Sequence, residues 1–182
     1  TGAYGQFDAA ITLADKINAK EGTDAYRHAR KVELYNAISG YLSEAMEALT
    51  EGEYKKASNK FTSAISNVNT LKEDYGEDIS YLNAMLSYQE YADNMKNGID
   101  TLDYDEAVEA FTAASKAVDG IDDTTNRNVA DDYLNTSNGR KAMKDGKNYE
   151  SKGDESLNQS MYSQTLTDYN TAMDMYNLAK TS

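Results

Sequence analysis

One histidine, two clusters of aspartates and 15 tyrosines are the residues of this sequence whose types and spacing could do chemistry. His28 stands alone, so no histidine pair can hold zinc, and any Ser-His-Asp relay would have to be centred on that one ring. It reads more simply as a surface residue on a helix. The carboxylates of Asp100, Asp103 and Asp105, and of Asp119, Asp122 and Asp123, are hard oxygen ligands of the kind that calcium takes. Neither cluster has the central Gly and terminal Glu of an EF-hand loop. Both fall where helices are about to begin, and N-capping together with the helix dipole accounts for them. The chain has no Cys, which removes disulfides, thiolate metal sites and thiol nucleophiles. These residues lead to no catalytic, metal-binding or cofactor-binding assignment, and the chain is expected not to be an enzyme.

Charge narrows the partners. The net charge of −13 disfavours phosphate backbones and anionic lipid, both of which need clustered Lys and Arg. No apolar run approaches the length of a membrane span, so neither nucleic acid nor membrane insertion is expected. A protein or peptide of complementary, basic character is. Thr1 in place of Met points to a processed chain or a domain cut from something larger. Sequons at Asn135 and Asn158 are no more than chance supplies in a chain this rich in Asn, Ser and Thr.

The elements that must position any site are helices. Pro is absent, β-branched runs are few, and from Leu34 the apolar positions continue at Ile38, Tyr41, Ala45 and Leu49, one face of a helix. Gly-containing polar stretches punctuate the pattern: Lys20 to Asp24 with Thr23 and Asp24 as caps, Thr50 to Glu53, Glu73 to Ser80, Asp119 to Asn126 and Ser151 to Ser156, with a further short break around Leu102 and Asp103. This divides the chain into seven helices over about 5–20, 25–50, 53–72, 79–101, 104–119, 127–149 and 157–180. The polar segment from Tyr149 to Asn158 is expected to be a mobile loop.

At an offset of 50 the sequence repeats: Tyr41 meets Tyr91, Leu49 meets Ile99, Tyr54 meets Tyr104, Ala57 meets Ala107, Phe61 meets Phe111, Ala64 meets Ala114, Val68 meets Val118 and Leu71 meets Ile121. A fainter copy at the start runs from Gly5 to Ile17, and another near the end, 58 residues on from Tyr104, gives Tyr162, Thr165, Tyr169 and Ala172. Small residues such as Ala57 and Ala64 let an antiparallel helix approach, while Tyr54 and Phe61 fill the space beside them. A second stripe, Val32, Tyr35, Leu42 and Met46, needs a neighbouring repeat to cover it.

The order Gly52, Tyr54, Ala57, Phe61, Ala64, with Tyr41 and Ala45 before it, resembles the second and first helices of the tetratricopeptide repeat (TPR) family. The period of 50 exceeds that family's, about 34 residues, and Asn69 and Asp119 stand where it closes with Pro. Longer helices are therefore implied. The resemblance implies an all-α fold, about seven antiparallel helices stacked as a TPR-like right-handed array of hairpins, in a single domain with units at about 1–22, 23–74, 77–121 and 125–182. It also implies protein or peptide binding on a face lined by first helices. Tyr41, Tyr54, Tyr91, Tyr104, Tyr162 and Tyr169 fall on repeat positions and are expected in the core, with Tyr88 in the place of Ile38. Tyr35, Tyr81 and Tyr133 do not, and are the candidate partner-binding residues. Three functions are ranked in this order: a non-enzymatic protein-interaction module, a structural or spacer domain of a cell-surface or secreted protein, and a ligand-sensing helical bundle. The Cys-free acidic composition favours an extracellular or cell-surface setting slightly over the cytoplasm.

Overall fold

A computed structural model describes residues 24–182, together with helical residues 9 and 11–13, and among these residues the chain is all-α with helices packed in sequence order. Six helices have defined bounds: α1 Asp24–Thr50, α2 Tyr54–Tyr75, α3 Leu82–Asp100, α4 Tyr104–Asp119, α5 Thr124–Asn158 and α6 Tyr162–Thr181. The expected helix over 5–20 and the caps at Thr23 and the Gly5–Ile17 copy lie outside the described residues, apart from the four helical positions just named. The chain forms two compact units, Thr1–Ala92 and Asp93–Ser182, the division falling within α3.

Local chemistry explains where the helices stop. Gly52 and Gly76 take left-handed backbone conformations (φ 73° and 69°) that cost an L-residue strain. At Gly76 the N–H bonds the Lys72 carbonyl and the next N–H, of Glu77, reaches back to Leu71, a Schellman ending for α2. The turn before α5 departs from expectation: Gly120 is right-handed (φ −67°), and Asp122 takes the left-handed position instead (φ 57°). Asp tolerates that region better than most residues. One aspartate of each acidic cluster acts as a cap, while Asp100, Asp105 and Asp119 pair with Lys96, Lys141 and Arg127. Asp103 Oδ1 accepts from the N–H groups of Asp105 (2.8 Å) and Glu106 (3.3 Å), and Asp123 Oδ1 accepts from that of Asn126 (3.0 Å).

In the first unit α1 packs along α2, burying Ile38, Ala45, Ala48 and Leu49 against a stripe of Tyr54, Ala57, Phe61, Ala64, Val68 and Leu71. The rings of α2 then meet those of α3. Tyr54 lies edge-on to Tyr91 (centroids 6.0 Å, 75°), and Phe61 stacks on Tyr88 (5.6 Å, 8°). Beside that stack Gln89 Nε2 donates to Thr62 Oγ1 at 2.8 Å.

In the second unit α4 packs on α5, and α5 on α6. Phe111 of α4 lies against the bare backbone of Gly98, where a Cβ would stand 2.6 Å from its ring. Ala48, fully buried, holds Gly98's place in the first hairpin. The α5·α6 hairpin extends this device. A Cβ on Gly146 would meet Tyr176 at 2.6 Å, and one on Gly153 would meet Tyr169 at 2.7 Å.

The expected loop at 149–158 is a correction: these residues are the last turns of α5, and Gly153 is buried within them. Gly153 is there because a ring presses on its backbone, not because a turn needs it. The helix is closed by Ser160, left-handed at φ 60°. A buried carboxylate ties this end down, Asp168 accepting from Ser156 Oγ (3.2 Å) and Gln164 Nε2 (2.9 Å). Size has also changed sides. Seven residues farther from the turn the first hairpin has Tyr41 on its first helix and Val68 on its second, whereas the last has Gly146 and Tyr176.

Two expected core positions are open. Tyr162 is 69% exposed where its repeat equivalent Tyr54 is 8% exposed, because Tyr54 has the Tyr91 ring against it and Tyr162 has no ring beside it among the described residues. Ile99 is likewise exposed although its equivalent Leu49 is buried.

The glycine pairs give opposite expectations along one chain. Gly40, exposed within α1 with open space about it, should gain about 0.5–1 kcal/mol from Gly40→Ala through helix propensity. Gly98→Ala and Gly153→Ala should instead lose about 1–3 kcal/mol to overpacking, measured as shifts in chemical denaturation midpoint. Phe61→Ala should cost about 3–5 kcal/mol by the same measurement. A second check is optical: Tyr169 and Tyr176 donate to Asp154 (2.5 Å) and Glu150 (2.6 Å), and these bonds, with lost hydration second, hold both phenols above their ordinary pKa of about 10. Their share of stability is therefore full below that value and lost as pH rises through the raised one. Ultraviolet titration of Glu150→Gln should show one phenol ionising earlier than in the parent chain.

Candidate functional site

Tyr35 sits on α1, half-buried at 37% exposure, and its hydroxyl donates to Glu77 Oε2 at 3.2 Å. Glu77 follows the Gly76 turn and also accepts from Lys31 Nζ, so the turn after α2 is fastened to α1 by a Lys31–Glu77–Tyr35 cluster. Tyr81, 41% exposed, lies in the turn just before α3 and not within the helix expected over 79–101. It is near enough for its phenol to bear on Tyr35, whose pKa is raised by lost hydration first and then by the bond to Glu77. Tyr35 and Tyr81 therefore share one neighbourhood. Tyr133, 41% exposed, belongs to the second unit, where its ring rests on Phe111 (centroids 5.1 Å, 30°).

Each unit also has concave surface. In the first, a recess of about 360 Å³ between α1 and the end of α2 is lined by Tyr26, Arg27, Arg30 and Asp74 among others. Its cations are already engaged. Arg27 lies over the Tyr75 ring (5.4 Å) and donates to the Asp74 carbonyl (3.2 Å), and Arg30 pairs with Glu33.

In the second unit two recesses adjoin along α5, sharing Tyr104, Thr136 and Arg140. One, about 310 Å³, is floored by Gly98, Phe111 and Tyr133, with Asp132 at its border. The other, about 590 Å³, is lined by Tyr104, Arg140, Met143, Lys144 and Lys147, and no carboxylate side chain lines it. Close packing makes the first recess, since Gly98 brings α3 onto the Phe111 ring and leaves a hollow in front. Lys144 Nζ stands over the Tyr104 ring at 5.9 Å. Lys141, one residue round the helix, is taken up by Asp105, which raises its pKa.

The sequence reasoning named Tyr133 and missed Arg140, Lys144 and Lys147. Their 4 and 3 spacing on one helix was readable, and the negative total charge hid it. The missed glycines carried a signal too: Gly139, Gly146 and Gly153 recur every seven residues, which is one face of a helix and not a series of breaks. His28 is exposed on α1. Among the described residues no group of three His, Cys, Asp or Glu side chains gathers closely enough to hold a metal ion, and no helix is long and apolar enough to cross a membrane.

The Lys31–Glu77–Tyr35 cluster can be checked by pH. The ammonium of Lys31 first, and the Tyr35 hydroxyl second, hold the Glu77 carboxyl below its usual range. Its contribution is thus present above the ordinary Glu value of about 4.3 and is lost as pH falls through the depressed one. NMR titration of the Glu77 side chain should show this low midpoint, and Lys31→Met should move it up toward the ordinary value.

Comparison with family models, with curated proteins and with solved structures finds no match to this chain.

Proposed function

We propose that the chain is a non-enzymatic protein-interaction module, a TPR-like scaffold of helical hairpins that offers aromatic side chains on and beside its first helices. The observation that carries this reading is the exposure of Tyr35, Tyr81 and Tyr133 at 37%, 41% and 41%, in a chain that buries the repeat-position tyrosines Tyr54 and Tyr91 but leaves another, Tyr162, open at 69%. Tyr offers rigid contact area with a polar tip, and recognition surfaces concentrate it for that reason. The −13 charge favours encounter with a partner of net positive charge, and steering of that kind weakens as salt screens it beyond about 10 Å at 0.1 M.

Cross-linked affinity capture from an extract of the source organism, followed by binding measurements on the purified captured protein, tests the proposal. Tyr35→Ala combined with Tyr81→Ala should weaken binding about tenfold or more and leave the thermal midpoint within a few degrees. Tyr133→Ala should weaken binding and lower the midpoint as well, since its ring also packs on Phe111. Should the wild-type chain capture no partner reproducibly, the spacer reading replaces this one. Should the Tyr35/Tyr81 variant unfold, those rings belong to the core and the proposed surface is wrong.

A further inference from the structure

Tyr133, Thr136, Arg140, Lys144 and Lys147 follow one another on α5 at spacings of 3, 4, 4 and 3, so they form one line along a single face of the helix. At 1.5 Å per residue the line is roughly 20 Å long. It passes from the aromatic recess of Phe111 and Tyr133 into the larger recess whose side chains include three cations and no carboxylate.

What sets these cations apart is their clustering on one helix face. Lys31, Lys60, Lys96, Arg127 and Lys141 each have a carboxylate within ion-pair distance, while scattered cations such as Lys55, Lys72 and Lys116 have none among the described residues. Among the described residues Arg140, Lys144 and Lys147 have none, although the whole chain carries 31 acidic side chains against 18 basic ones. Arg140 and Lys144 stand four apart and Lys144 and Lys147 three apart, spacings at which like charges repel on a helix. Two of the nearby carboxylates are engaged: Asp105 is held by Lys141, and Asp103 caps α4, its pKa lowered first by the N–H groups of Glu106 and Asp105 and further by the charges of Lys144 and Lys141. Asp132 borders only the aromatic end.

We propose that this groove is the docking site for an extended acidic peptide segment of a partner protein. Carboxylates of the segment lie along Arg140, Lys144 and Lys147, and an apolar or aromatic side chain enters the recess before Phe111 and Tyr133. The inference rests on the interaction-module reading and adds to it the chemistry of one contact and its polarity. The occupant is extended because the site is a line: about six residues of extended chain, at roughly 3.3 Å each, span it. It is acidic by charge complementarity. It is short because three cations set in a chain of net charge −13 hold a local anion but cannot gather a long polyanion. A partner of net positive charge that carries such a segment is drawn in by the total field and oriented by the groove, since complementary charge fixes register.

The test is fluorescence anisotropy of the full chain with a labelled synthetic octapeptide that has Phe at one end and three Asp or Glu residues at the other. Controls are the same peptide with Lys in place of each acid, and inorganic phosphate as competitor. The acidic peptide should bind, the Lys peptide should not, and Arg140→Gln, Lys144→Gln and Lys147→Gln should each weaken binding about tenfold. Lys116→Gln, an exposed cation on α4 that lines neither recess, should change nothing. All three groove cations are exposed, so thermal midpoints should hold and loss of binding cannot be blamed on unfolding. The proposal is overturned if both peptides bind alike, if neither binds, if the groove variants bind like the parent, or if phosphate alone displaces the peptide, which would make this a small-anion site. Sedimentation showing a dimer that Arg140→Gln dissolves would assign the groove to a second copy and overturn it too. A partner captured through Tyr35 and Tyr81 while the peptide fails to bind would sink this inference and leave the wider reading intact.

Discussion

A ring laid on bare or nearly bare backbone is the contact on which both units depend. An antiparallel helix pair reaches interior packing density only where a large side chain on one helix faces a small one on the other. Ala57 and Ala64 alternate with Tyr54 and Phe61 in the first unit, and Gly98 receives Phe111 in the second. The last hairpin takes the rule to its limit with Gly146 under Tyr176 and Gly153 under Tyr169. There the phenols also reach past the glycine to a carboxylate on the same helix, Tyr169 to Asp154 and Tyr176 to Glu150. Packing and hydrogen bonding thereby fix one register between α5 and α6. The caps at Asp103 and Asp123 and the left-handed turns at Gly52 and Gly76 set where each helix must begin or end for those pairs to meet.

Helix type and the core of the first two hairpins were legible because they rest on local periodicity. The 4, 3, 4, 4 run from Leu34 and the 50-residue match at Phe61 and Phe111 each report a buried face directly. What misled was the double meaning of glycine and of position. Gly76 and Gly153 look alike in sequence, each among polar residues, yet one ends a helix and the other is buried inside one, and only the ring facing Gly153 tells them apart. Tyr162 matched the repeat and is open, because burial depends on what lies opposite and not on the residue itself. The candidate site was half legible. Tyr133 stood out by its place, while the Arg140, Lys144 and Lys147 line was concealed by an acidic average and by Lys141, which shares the cluster but is spent on Asp105.

That average is a poor guide to local chemistry on any one helix. Charges separated by more than a Debye length scarcely see one another at physiological salt. The −13 total governs solubility and the long-range approach of partners, whereas the line on α5 acts within a few ångströms. A surface can therefore repel acidic matter at a distance and hold a short anionic stretch in contact.

The glycine ladder of α5 reaches beyond packing to the order in which structure is won and lost. Three helical glycines, Gly139, Gly146 and Gly153, each forgo about 1 kcal/mol of intrinsic helicity relative to alanine, a sum no isolated helix of ordinary composition recovers. The second half of α5 is thus helical by virtue of α6. Remove α6 from its bed and the helix from about Gly139 to Asn158 dissolves with it, so that the two segments form one cooperative opening unit. Arg140, Lys144 and Lys147 stand inside that unit. Their geometry exists only while the hairpin is shut, and an occupant that bridges them favours the closed state by mass action.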